Sequence, residues 1–162
     1  MDINHTMKKT LLLLLLSFYS LSLYAVDMSM TDLKGKQSKI SDYLGKWIVV
    51  NYWATWCPPC REEMPELQAF HDDHEKTDGV VLGFNTEVIG EDDIQEFLED
   101  YFVTYPNFRV GPVSDTEFGK VPGLPTTFLI SPEGKVEARQ VGGVTQEMIE
   151  RYMKKWSDKQ QN

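Results

Sequence analysis

Beyond Cys57 and Cys60 the 162-residue chain has no cysteine, so no framework of several bridges staples it. Basic charge is scarce as well, with 16 Lys and Arg against 25 Asp and Glu, and the cations cluster nowhere. This excludes the basic face that nucleic-acid binding requires. The acidic runs Asp72-Asp73 and Glu91-Asp92-Asp93 read as solvated helix surface. No internal repeat is visible, and the length permits one domain with a real core but not two comfortable ones. Apolar runs long enough to cross a membrane are also missing. The longest apolar stretch, Leu11 to Val26, covers 16 residues, short of the ~20 that a span needs.

That stretch follows Lys8 and Lys9 and leads to Leu23 and Ala25 at the positions of a cleavage site, the layout of an export signal over residues 1–25. An uncleaved anchor is the alternative. No cysteine lies near the junction, so lipid attachment is not expected. Without Lys8, Lys9 and Asp2 the remainder holds 14 basic and 24 acidic side chains. Residues 26–157 read as the folded domain and 158–162 as a polar, frayed tail. An exported, periplasmic chain meets an oxidising compartment in which disulfides persist. A dithiol kept reduced there needs a supply of electrons.

What is present is VVNYWATWCPPC, Val49 to Cys60, with both cysteines directly after an apolar strand. A CxxC at the start of a helix is a redox arrangement, because unpaired backbone N–H groups and the positive end of the helix favour a thiolate. Three other readings stand beside it. A bridge over two residues closes so small a loop that it is a poor staple. A zinc site with His71 and His74 is disfavoured if Pro59 to Lys76 is one helix, since Cys60 and His71 then lie ~16 Å apart. Those histidines then read as solvated helix-face residues. Finally, both thiols can be inert core cysteines.

The remaining pattern alternates strands and helices. Leu33 to Lys36 is a turn between two short segments of a hairpin, and Ser41 to Gly45 is a capped turn. Trp47 to Trp53 and Val80 to Phe84 read as buried parallel strands joined by the helix from Pro59, kinked at Pro65. Glu91 to Tyr101 has helical spacing, with Ile94, Phe97, Leu98 and Tyr101 on one face. Asn107 to Val110 is a short strand and Asp115 to Lys120 a short helical turn. Thr126 to Ile130 and Val136 to Val141 form a hairpin about Pro132 to Lys135. Thr145 opens a last helix that turns Met148, Ile149, Tyr152, Met153 and Trp156 toward the core.

This order, with WCPPC, Pro65, Leu124-Pro125 before a strand and Gly142-Gly143 before the last helix, resembles the thioredoxin superfamily over roughly residues 28 to 156. WATWCPPCREEMPEL, the segment Glu91 to Val110 and PTTFLI most resemble its TlpA and ResA branch of exported thiol-disulfide oxidoreductases. The resemblance implies an α/β, thioredoxin-like, three-layer fold, with a central mixed sheet flanked by helices, an N-terminal β-hairpin and a central αβ insert. It also implies a cis bond at Pro125, which lies against the disulfide.

Within that frame Cys57 is the exposed nucleophile and Cys60 the shielded resolving thiol. Trp56, Pro58, Pro59 and Pro125 support the site, while Leu124 and Thr126 line it for an extended substrate. No cofactor and no metal are expected. The expected partners are cysteine-containing exported proteins and a membrane thiol-disulfide protein that donates electrons. A disulfide-introducing oxidant and a non-catalytic peptide-binding module remain as alternatives, and a peroxidase fits poorly without a third cysteine.

Two departures from the family stand out. Asn51 occupies the place of the buried aspartate of thioredoxin, so the proton of Cys60 needs water or a carboxylate brought in by the fold. Glu62 and Glu63 are expected to point to solvent. Thr126 replaces the glutamate common in the apocytochrome-reducing branch, which weakens a haem-maturation role.

Overall fold

The computed structural model describes residues 28–160, so the signal expected at residues 1–25 and the last two residues lie outside the described residues. In chain order the elements are β1 (Ser29–Thr31), β2 (Gln37–Lys39), a one-turn 3-10 helix (Ile40–Tyr43), β3 (Trp47–Trp53), α1 (Pro58–His74) and β4 (Gly79–Asn85). They continue with α2 (Glu91–Asp100), β5 (Asn107–Arg109), β6 (Asp115–Thr116), β7 (Gly119–Lys120), β8 (Thr126–Ile130), β9 (Val136–Val141) and α3 (Gln146–Gln160).

The apolar run Trp47–Trp53 is buried at every residue, and a strand with no polar face is stable only between two covering layers. It is accordingly the centre of a five-stranded sheet ordered β5-β4-β3-β8-β9. β3, β4 and β5 are parallel, while β8 and β9 run antiparallel to their neighbours. Alternation along the strands sorts the side chains. Ile48, Val50 and Tyr52 share a face with Leu82, Phe84, Phe108 and Phe128, which Met30, Ile40, Phe118 and Val121 cover. Trp47 and Val49 point the other way, onto Leu67 and Phe70 of α1 and Ile149 and Met153 of α3. Ile48, Val49 and Val50 are 0% exposed, a burial that contributes roughly 1.5–3 kcal/mol per side chain.

Two local expectations change. Asp115–Lys120 is a β-hairpin, not a helical turn. The Thr116 hydroxyl donates to the Gly119 carbonyl at 2.8 Å and accepts the Phe118 N–H at 3.2 Å, and Gly119 has a φ of +132°, so side-chain bonds and a positive φ close a turn that no helix can continue. In α3, helix continues through Ser157 to Gln160, past the start of the expected tail. Helix α1 also runs through Pro65.

Helix α2 ends in a Schellman arrangement, with Phe102 N–H bonded to the Glu99 carbonyl at 3.0 Å and Val103 N–H to that of Leu98 at 2.9 Å. The residue this motif places in the left-handed region is ordinarily glycine. Here it is Phe102, at φ +56° and 83% exposed, so the ring gains little burial to offset the backbone cost. Phe102→Gly is expected to stabilise the domain by about 0.5–1 kcal/mol and to raise its melting temperature by a few degrees. A lower midpoint in thermal unfolding would show that the ring holds a contact of its own.

Candidate active site

Where β3 ends, the chain turns through Ala54, Thr55 and Trp56, and the Cys57 N–H closes this turn on the Ala54 carbonyl at 3.2 Å. Cys57 is the N-cap of α1 in extended conformation, followed by proline at the first two helical positions. Proline suits them because its fixed φ is helical and its missing N–H would have no partner there. The helix then brings Cys60 back under Cys57, and the two are joined as a disulfide with Cα atoms 5.3 Å apart. After the prolines the first amides are those of Cys60 and Arg61, and both donate to the Cys57 carbonyl, at 3.1 and 3.2 Å.

The expected exposure of Cys57 is not found in this disulfide state: it is 2% exposed, and Cys60 0%. The bonded sulfurs belong to an apolar cluster with Trp53, Ala54, Met64, Ile94 and Leu98, against which Leu124 packs. Trp56 carries the exposure of the site at 66%, with Pro58 and Pro59 also exposed. The Leu124–Pro125 bond is cis, and Pro125 is buried, its carbonyl accepting the Gly142 N–H at 2.9 Å. Thr126 does not line an open site. It is 0% exposed, and its hydroxyl donates to the Gly123 carbonyl at 2.6 Å. Its polar group is spent on shaping the loop ahead of Pro125.

The larger correction concerns Glu63. It is buried, at 3% exposure, whereas Glu62 does face solvent. Three residues past Cys60, Glu63 shares its helix face. The Asn51 side-chain amide donates to Glu63 Oε1 at 2.7 Å and to Thr127 Oγ1 at 3.0 Å, and the Val144 N–H donates to Glu63 Oε2 at 2.9 Å. Burial pushes the Glu63 carboxyl up to about 7, against the lowering effect of the Val144 and Asn51 hydrogen bonds. Burial raises Tyr105 strongly too, with Glu63 adding to it, and the Tyr105 hydroxyl has no hydrogen-bond partner among the described residues. The i,i+3 spacing from Cys60 was the available signal for Glu63. Thr127 and the Val144 amide gave none, because they reach the site only through the sheet and the last turn.

The histidines are not simply solvated. His71 is buried, with Nδ1 accepting the Val81 N–H at 3.2 Å and Nε2 3.2 Å from Glu75. Burial lowers its pKa below the usual value. His74 sits between Asp78, at 2.8 Å, and Glu150, at 3.3 Å. These hydrogen bonds raise its pKa although burial opposes them. Both rings therefore tie α1 to its neighbours. Among the described residues no group of three or more His, Cys, Asp and Glu is placed to hold a metal ion, and no helix is long and apolar enough to cross a membrane.

The raised pKa of Glu63 makes a signed prediction. The unfolded carboxyl ionises near pH 4.5 and the folded one near 7, so its burial costs nothing below 4.5 and an increasing amount as pH climbs to 7. Glu63→Gln removes that term. The stability of the variant relative to wild type, from denaturant unfolding of the disulfide form, is expected to improve by about 2–3 kcal/mol between pH 4.5 and 7.5. A difference that stays flat over this range would contradict the buried titration.

Residues 23–139 match the AhpC/TSA family. The thiol-disulfide oxidoreductase ResA of Bacillus subtilis is 37% identical over 132 residues, covering 80% of this chain and 72% of that protein. ResA of Geobacillus kaustophilus is 34% identical over 142 residues, covering 80% and 74%. Among solved structures, a DsbF homologue from Corynebacterium diphtheriae gives a TM-score of 0.70 at 27% identity, covering 81% of this chain and 85% of that one. A secreted thiol-disulfide isomerase from Corynebacterium glutamicum gives 0.67 at 27%, covering 77% and 80%. Matched over most of its length, the chain belongs to the AhpC/TSA family, beside the thiol-disulfide oxidoreductases that are its relatives.

Proposed function

We propose that this chain is an exported thiol-disulfide oxidoreductase that reduces or exchanges disulfides in other exported proteins. The observation that carries the reading is the Cys57–Cys60 pair at the start of α1, with the carboxyl of Glu63 buried one turn further on. In the reduced protein the Cys57 thiolate attacks one sulfur of a partner's disulfide, forming a mixed disulfide while the partner's other sulfur leaves as a thiolate. Cys60 then gives its proton to Glu63 and attacks the Cys57 sulfur. The Cys57–Cys60 bond forms, the partner's second sulfur leaves, and two electrons have passed to the partner. A membrane thiol-disulfide protein supplies the two electrons that reopen the bond.

Glu63 suits the proton step. A base works best with a pKa near the operating pH, and burial brings the Glu63 carboxyl to about 7. It fills the role that the amide of Asn51 cannot, and Asn51 holds it in place. Leu124, half-buried and packed against the cysteine cluster, takes part in no backbone hydrogen bond among the described residues. That suits strand-like pairing with an extended substrate. Export is supported by the signal-like residues 1–25 and by the secreted relative. A periplasmic address, with or without a membrane tether, is part of the proposal.

The direction proposed is reduction. With prolines at 58 and 59 and the next two amides donating to the Cys57 carbonyl, the Cys57 thiolate has few backbone donors, and a weakly stabilised reduced form makes a reducing couple. Pro59→Ala restores one N–H and is expected to lower the Cys57 pKa, read from ultraviolet thiolate absorbance, and to raise the reduction potential. No change in either quantity would remove the argument for direction. Cys60→Ala is expected to trap exported partners as mixed disulfides that reductant releases, while Cys57→Ser captures none. Equal capture by the two variants would point to a non-catalytic peptide-binding module.

A further inference from the structure

The turn that carries Cys57 lies beyond the last rung of the sheet, where β3 and β4 stop pairing at Trp53 and Asn85. Past that rung, one backbone bond and then side chains continue the ladder. The Thr86 N–H donates to the Trp53 carbonyl at 3.0 Å, and its hydroxyl does so at 3.3 Å. Glu87 then fastens the turn itself. Its Oε2 accepts the Thr55 N–H at 2.6 Å and the Asn85 side-chain amide at 3.0 Å, and its Oε1 accepts the Thr55 hydroxyl at 3.0 Å. The Glu87 N–H is in turn bound to Asn85 Oδ1 at 2.9 Å. Asn85 is 0% exposed, so the carboxylate is anchored to a buried residue on one side and to the turn on the other.

We propose that Glu87 is a positioning residue of the redox site, one that holds Cys57 within reach of Cys60 whenever their bond is open. The inference rests on the CxxC reading above. Thr55 is two residues before Cys57, and the two prolines after Cys57 donate no backbone N–H, so on its upstream side the nucleophile is located by the Ala54–Cys57 turn and by whatever restrains it. When the disulfide is open, the chance that Cys60 meets Cys57 is an effective concentration, and restraint on the turn raises it. A tethered turn therefore favours the closed disulfide over two separate thiols and hastens resolution of a mixed disulfide. Charge is not required for this. A glutamine in the same place can accept from Thr55 N–H and Asn85 with its oxygen and donate to the Thr55 hydroxyl with its nitrogen.

The experiment is equilibration of the protein with glutathione, in which two glutathione thiols surrender two electrons and two protons to the Cys57–Cys60 bond and become one glutathione disulfide. Glu87→Ala is expected to shift this equilibrium about threefold or more toward the protein dithiol and to prolong the Cys57–glutathione mixed disulfide. Glu87→Gln restores the wild-type constant to within about twofold. Thr55→Val, which keeps the N–H bond and loses only the hydroxyl bond, falls between them and guards against misfolding of the alanine variant. An unchanged constant in a folded Glu87→Ala protein would overturn the proposal, and so would a shift in Glu87→Gln as large as in Glu87→Ala. Failure of the CxxC reading would look different, since the wild-type protein would then show no dithiol couple with glutathione.

Discussion

A carboxyl group buried one helix turn beyond Cys60 can persist only where hydrogen-bond donors surround it, and the polar arrangement around Glu63 follows from that requirement. Glu63 draws the Asn51 amide from β3 and the Val144 N–H from the segment before α3, while Asn51 also reaches Thr127 on β8. Three parts of the fold that are remote in sequence thus meet one helix turn below Cys60. An unpartnered carboxylate there would be costly. With partners, it remains buried and titrates near neutrality, where thiol chemistry operates.

The apolar scaffold is what makes such convergence accurate. Because β3 is covered on both faces, its alternate residues feed two separate packing layers, and Asn51 enters the helix-side layer at a fixed register opposite Thr127. Trp53 lies two residues on in the same alternation and is held by a 2.9 Å bond from its indole N–H to Asn107 Oδ1. That bond depends on Gly83, since a Cβ there would lie 2.0 Å from the same oxygen. The strand is therefore locked immediately before it releases the turn that carries Cys57. Rigid elements up to the last residue, then a short tethered loop, is the construction that accurate chemistry needs.

The acidic helix surface is a separate matter. Gln146 links Glu66 and Asp73 of α1 to Glu150 of α3, and His74 adds one contact across the same seam, to Glu150 at 3.3 Å. Contacts of this exposed kind contribute little each, and α3 is held chiefly by its apolar side, where Trp47 meets Tyr152 and Trp156 edge-on at 6.3 and 5.0 Å.

The sequence by itself determined the elements whose cause is local. The seven-residue run from Trp47, apolar but for Asn51, the CxxC after it, the helical spacing at Ile94 and Leu98 and the Pro132 to Lys135 turn each depend on neighbours along the chain, and each is found where its pattern lies. Only the tertiary structure decided what depends on partners distant in sequence. Glu62 and Glu63 are chemically alike, and one faces water while the other is buried, because helix phase relative to the sheet selects between adjacent residues. Thr126 and Thr127 divide likewise, one closing its own loop and the other joining Asn51. Glu87 gains its role only because parallel pairing sets the end of β4 beside the end of β3. Local pattern specifies which way a strand or helix is built, but which polar group is buried and which faces water is settled by packing among elements that the chain brings together only on folding.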